Sequence, residues 1–176
     1  MQANVVKEYS DQYRELRGLF EKQLMELYWT EGVMGNMLNG VIVQSSSKDL
    51  VTVLQKHHEE TLTHIERLEK IFNYIGIPAQ EKEYEAIDCF VKEAESIIHI
   101  TRQGVVRDAA IIAVLQKIMH YEIACYGTMR AYAIALREED VVMLLEQTLQ
   151  DEKGADLMLS SIAESHINTE AADKEI

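Results

Sequence analysis

Proline occurs once in 176 residues, at Pro78, and glycine only eight times. A β-sandwich or barrel reverses its chain roughly every 8–12 residues, and this sequence lacks the breakers to do so. The two cysteines, Cys89 and Cys125, have no CxxC spacing. They support neither a disulfide framework nor a thiolate metal site, and are expected to be reduced, buried thiols. No run of about 18 apolar residues exists to cross a membrane. The first twenty residues lack the apolar core of a signal peptide, so a cytoplasmic location is expected. Positive charge is also scarce, with 17 Lys and Arg against 30 Asp and Glu, a net of −13. That balance argues against nucleic acid and against an anionic membrane surface as partners. It favours an attracted cation.

What the sequence has is helical periodicity and enough apolar residues, 47%, to build a core. Leu16, Leu19, Phe20, Leu24, Leu27, Tyr28, Met34 and Leu38 recur mostly at steps of three and four, predicting a first helix over about 5–41. Ser46 or Ser47 is the expected N-cap of a second helix, with Asp49 in its first turn. That helix ends at Gly76-Ile77-Pro78. A shorter helix is expected near 83–101, followed by long ones over 105–136 and 139–165. Residues 1–168 are read as one bundle and 169–176 as a polar, disordered tail. Short turns make two antiparallel hairpins, and the long connector between them can cross the bundle. The expected class is therefore all-α, a four-helix bundle of ferritin-like topology with a fifth helix in the crossover. A plain five-helix bundle is the alternative.

Three acids interrupt the apolar stripes. Glu31 follows Leu24, Leu27 and Tyr28 and precedes Met34 and Leu38. Glu122 lies between Leu115, Ile118 and Tyr126, Met129, and Glu152 between Leu145, Leu149 and Leu159. A buried carboxylate must be paired, protonated or metal-bound. The second helix adds His57-His58-Glu59-Glu60 and His64, where Glu60 and His64 at i,i+4 share a face. Glu152 and Asp156 repeat that spacing on the last helix. With the hairpin turns at Gln44 and Glu138, Glu31 pairs in height with Glu60 and Glu122 with Glu152, each to within about 5 Å at 1.5 Å per residue. One carboxylate from each of four helices, plus a second ligand on two of them, is the carboxylate-bridged dimetal pattern. Oxygen and imidazole donors suit iron or manganese.

Several of these segments, in order and spacing, resemble the YciE/YciF family of the ferritin-like superfamily. They are Leu27-Tyr28-Trp29-Thr30-Glu31, His57-His58-Glu59-Glu60-Thr61, Arg67 to Phe72, Val106 to Ala110, His120 to Ala124 with Tyr126 to Arg130, and Thr148 to Lys153. The resemblance spans about residues 14–168 and implies a ferritin-like bundle with a two-metal site. Carried over position by position, it implies Glu31, Glu60, Glu122 and Glu152 as ligands, completed by His64 and Asp156. Ferritins proper use Glu-x-x-His. Here the i+3 positions are Thr63 and Ala155, and the second ligands stand at i+4. The family usually has Asp where this chain has Trp29. His57, His120, Tyr28 and Tyr126 are alternative ligands or neighbours of the ligands.

The expected function is that of a dimetal-carboxylate protein, a stress-related ferroxidase or oxidoreductase using O₂ or peroxide, with two iron ions as cofactor. A manganese-type peroxide-decomposing enzyme is one alternative. A non-enzymatic stress or scaffold protein with a vestigial site is the other. The expected partners are metal ions and, from apolar residues on several faces of the fourth helix (Ile111, Ile112, Val114, Leu115), a second copy in a homodimer.

Overall fold

In the computed structural model, which describes residues 15–173, the apolar stripes become five long helices: α1 (Leu16–Gln44), α2 (Lys48–Tyr74), α3 (Glu85–Ile100), α4 (Val105–Ala135) and α5 (Glu139–Ile162). The part of the first predicted helix before residue 15 lies outside the described residues. Among those described, no strand occurs. No helix among them is long and apolar enough to cross a membrane.

The connections are set by local chemistry. Ser47 caps α2, its side chain accepting from the Leu50 amide, and Asp49 sits in the first turn. Gly76 takes φ +74° beyond the end of α2, a conformation that costs glycine nothing. Three residues, Ser45–Ser47, separate α1 from α2, and another three, Leu136–Glu138, separate α4 from α5. Each link forces antiparallel neighbours.

Long-range polar contacts give the hairpins their mutual direction. Arg17 at the start of α1 pairs with Glu138 in the turn that follows α4. Arg107 at the start of α4 donates to Gln44 Oε1 at the end of α1, 2.8 Å away. Helices α1 and α4 are therefore antiparallel, and the connector from α2 to α4 runs the full length of the bundle. The four long helices close a ring in which α1 touches α2 and α4, and α5 touches α2 and α4. Helix α3 lies outside this ring, packed on α4 and α1. This is the expected arrangement of two hairpins joined by a crossover.

Three further features bear on the expectations above. Ile111, Ile112, Val114 and Leu115 are all buried within the chain, in one cluster with Ala94 of α3. The several apolar faces of α4 are thus covered within the chain, by α3 together with the other elements packed on α4, and they no longer call for a second copy. Cys89 is exposed rather than buried, and both cysteines are free thiols. The polar tail continues the last helix: α5 passes through a π-helical turn, Ala163–Ile167, into α6 (Asn168–Asp173). Ile167 of that turn is fully buried and ties the segment to the core. Residues 174–176 lie outside the described residues.

The core falls into two apolar clusters. One end of the bundle holds Met34, Leu38, Leu50, Leu54, Leu115, Ile118 and Leu159. The other holds Phe20, Leu24, Leu27, Leu68, Phe72, Tyr126, Met129 and Leu145. Between them lies a layer of buried polar side chains.

One buried acid outside that layer is structural. Asp108 in the first turn of α4 is fully buried, and its carboxylate accepts from the backbone amides of Ser46 and Ser47, each at 2.8 Å. These are donors at the entry of α2, so Asp108 clips the first hairpin to the start of the second. Hydrogen bonds to a charged acceptor are worth about 1.5–3 kcal/mol, and losing them leaves two amides without partners. Asp108→Ala is therefore expected to lower unfolding stability by about 2–4 kcal/mol in urea titration. Asp108→Asn, with a single acceptor oxygen, should recover only part of the loss.

Candidate metal centre

The polar layer is built from one residue on each of the four ring helices. On α1, Glu31 lies on the stripe that buries Leu27, Met34 and Leu38. On α2, the buried positions run His57, Thr61, His64 and Leu68. Glu122 stands between buried Ile118 and Tyr126 on α4, and Glu152 between buried Leu149 and Ala155 on α5. Glu31, His64 and Glu152 are fully buried, and Glu122 is 1% exposed.

Helix α2 presents an imidazole to the other helices' carboxylates. His64 Nδ1 lies 3.4 Å from Glu31 Oε1 and 3.3 Å from Glu152 Oε1. One ligand atom from each of Glu31, His64 and Glu152 lies within 4.8 Å of the others, close enough to share a cation. Tyr126, one turn beyond Glu122, donates its hydroxyl to Glu31 Oε1.

Burial first, and then the charges of Glu152 and Glu31, raise the Glu122 carboxyl well above its usual range. The Glu152 carboxyl is raised in the same way by burial and by the charge of Glu31, with smaller contributions from Glu60, Asp151 and Asp156. The Tyr126 phenol is pushed up by burial and by its neighbour Glu31. No arginine or lysine side chain pairs with Glu31, Glu122 or Glu152 among the described residues.

Unmet hydrogen-bonding capacity marks the same place. Glu31 Oε2, Glu122 Oε1, both Glu152 oxygens and both nitrogens of His64 are buried without a hydrogen-bond partner. Native interiors rarely leave such groups orphaned. Orphans that are carboxylate oxygens and imidazole nitrogens are the donor set of a hard-to-borderline cation. The residues present thus fit a metal.

The six expected ligands do not all converge. Glu31, Glu152 and His64 do, and Glu122 is near enough for the charges of Glu152 and Glu31 to raise its carboxyl, but Glu60 and Asp156 are turned toward the flanks. The Glu60 side chain is 20% exposed and bonded to Lys56. His57, whose Nδ1 is 3.9 Å away, together with Lys56, holds the Glu60 carboxyl down at about 2 despite partial burial. Asp156 accepts from the Gln116 amide at 3.0 Å, and the same amide reaches Ser160 at 2.8 Å. The helical angle explains both departures. Successive residues are turned by about 100°, so four steps overshoot a full turn by about 40°. With His64 and Glu152 pointing inward, their i−4 and i+4 companions turn toward the flanks. Both flanking carboxylates add, behind burial and Glu31, to the raising of the Glu152 carboxyl.

The alternative positions separate as well. Tyr126 joins the centre. Tyr28 instead donates to Glu69 at 2.9 Å near the surface and meets Phe72 edge-on. His120 is exposed, 3.6 Å from Asp156. His57 is 1% exposed with both ring nitrogens unbonded, one turn beyond Thr61 on the buried face of α2. The sequence reading missed Asp151, Arg67 and Thr148, which meet on the far side of His64. Their signal was present: Arg67 stands three residues after His64 on one helix face, and Asp151 is beside Glu152.

Known proteins share this frame. A family profile described as a domain of unknown function, DUF892, matches residues 15–172. The protein YciF of Escherichia coli strain K12 is 31% identical over 162 residues, which is 92% of this chain and 98% of YciF. The crystal structure of YciF, described as a stress protein, superposes with a TM-score of 0.84 at 30% identity, covering 89% of this chain and 99% of that one. YcfI of Rhodopseudomonas palustris, for which a structural role has been suggested, superposes with a TM-score of 0.82 at 36% identity, covering 86% of this chain and 97% of its own.

The raised carboxyls set a pH dependence for the metal-free protein. A carboxyl whose pKa is higher folded than unfolded binds more protons in the native state, so stability falls as pH rises. The loss begins near the unfolded Glu value of about 4.3 and continues through the raised native values of Glu122 and Glu152. Glu122→Gln removes one such group while keeping its shape. It is expected to make the metal-free protein more stable than the parent at pH 7 by about 1–3 kcal/mol and to flatten the pH slope. Urea unfolding between pH 5 and 8, with chelator present, reads both effects.

Proposed function

This chain belongs to the DUF892 family, the YciE/YciF group of helical-bundle proteins, and from that premise we propose that it is a dimetal-carboxylate protein with ferroxidase-type oxidoreductase chemistry. The observation that carries the proposal is the buried, unpaired set of Glu31, His64, Glu122 and Glu152 at mid-bundle. In this reading Glu31, His64 and Glu152 would hold one ion. Glu122 and Glu152 would hold a second, with Glu60 and His57 at its flank. The net charge of −13 favours cation arrival from solvent. When bound there, two Fe²⁺ ions would each supply one electron to O₂ or peroxide.

The protein's own part is electrostatic and positional. Three buried carboxylates with no internal counter-charge stabilise a higher positive charge better than a lower one, which favours the oxidised ion. Tyr126 fixes one Glu31 oxygen by its hydrogen bond and leaves the other, Oε2, free to ligate. The apolar clusters on either side keep water from competing for the same oxygens. Storage of a mineral is no part of this reading, because nothing in the chain specifies a cage.

Metal analysis of protein purified without added metal tests the proposal. About two Fe per chain, with Fe²⁺ oxidation under air, is the expected result. Mn in its place would assign the centre to peroxide decomposition, and no metal would leave a helical stress or scaffold protein. Replacing Glu122 and Glu152 together with Ala should abolish both iron uptake and Fe²⁺ oxidation while the helical circular dichroism spectrum persists. A double variant that takes up and oxidises iron at the parent's rate would contradict the assignment.

A further inference from the structure

The polar group behind His64 has a role that the centre itself does not explain. His64 Nδ1 faces Glu31 and Glu152, while Nε2 points outward to Asp151 Oδ2, 3.5 Å away. The same Asp151 oxygen accepts from Arg67 at 2.5 Å, and Arg67 is steadied in turn by Thr148 Oγ1 at 3.3 Å. Asp151 is thus held by a charge-assisted bond from α2 while its own helix carries Glu152.

A neutral imidazole has one N–H and one lone pair. For His64 to ligate through Nδ1, its proton must sit on Nε2, where an acceptor has to meet it. Asp151 Oδ2, 3.5 Å from Nε2 and not hydrogen-bonded to it, is the acidic side chain beside it that a small closure would bring into reach. An Arg67–Asp151 pair near the surface would by itself be worth little, about 0–1 kcal/mol. Its placement against a fully buried imidazole is what gives it leverage.

We infer that Asp151, anchored by Arg67, is a positioning residue that selects the Nε2–H tautomer of His64 and so turns its Nδ1 lone pair into the centre. This rests on the reading of the centre as a metal site. Asp151 touches no metal in this scheme and acts only through His64.

The test is Zn²⁺ affinity of the full chain by competition with a chelator, combined with ¹⁵N NMR of the histidine rings. Asp151→Ala is expected to weaken Zn²⁺ binding roughly 10–100-fold. Asp151→Asn, which keeps a carbonyl oxygen in place, should recover most of the affinity. It also keeps the test decisive if the alanine variant does not fold. In a His64→Ala background, Asp151→Ala should cause no further loss. The Zn²⁺-loaded parent should carry the His64 proton on Nε2. An Asp151→Ala variant that binds like the parent overturns the inference alone, as does an equal loss in the His64→Ala background or a proton found on Nδ1. A parent that takes up no Zn²⁺ at all overturns the metal reading itself, and this inference with it.

Discussion

Mutual repulsion among three buried carboxylates governs the middle of this bundle. Glu31, Glu122 and Glu152 come from three helices and occupy a space with no arginine or lysine to neutralise them. Burial and neighbouring charge both raise Glu122 and Glu152, so in the absence of a cation protons must take its place. Apolar side chains at these positions would pack better and cost less, since replacing buried charges by hydrophobic residues is often stabilising. The layer therefore divides what would otherwise be one continuous core into two clusters. A function that needs the charges is the economical account of why they are there.

The remainder of the fold serves to hold these charges level. The α1–α4 pair is fixed at one end by Arg17 and Glu138 and near the other by Arg107 and Gln44. Asp108 joins the start of α4 to the turn between α1 and α2. With the ends so tied, neither hairpin can slide by a turn, about 5.4 Å, without breaking these hydrogen bonds. A slide of that size would carry Glu31 and His64 together past Glu122 and Glu152 and split the polar layer into two halves. The crossover helix α3 seals the apolar side of α4 and leaves the centre to the four ring helices.

The fold was legible because its signals are local and repeated: stripes at steps of three and four, serine caps, and a glycine and a proline where the second helix stops. Glu31, Glu122 and Glu152 were legible for a related reason, since an acid within an apolar stripe is conspicuous. The full ligand set was less so. Residues four apart share a helix face only loosely, and the sequence does not say which member of each pair takes the inner position. On α2 that is His64, with Glu60 turned toward Lys56, and on α5 it is Glu152, with Asp156 turned toward Gln116. Nor does the sequence show that Ile111, Ile112, Val114 and Leu115 are all covered within the chain, because helix partners depend on tertiary packing. Asp151 was hidden for the opposite reason: as a half-exposed acid near an arginine, it looks like any surface ion pair until its distance to His64 is known.

The central claim is that the carboxylates are buried for a cation at mid-bundle. Anomalous diffraction from crystals soaked anaerobically in Fe²⁺, collected on either side of the iron edge, tests this most directly. The account predicts two iron peaks enclosed by Glu31, His64, Glu122 and Glu152, midway between the two apolar clusters. Iron found only at outer carboxylates, with the mid-bundle layer free of anomalous density, would contradict it.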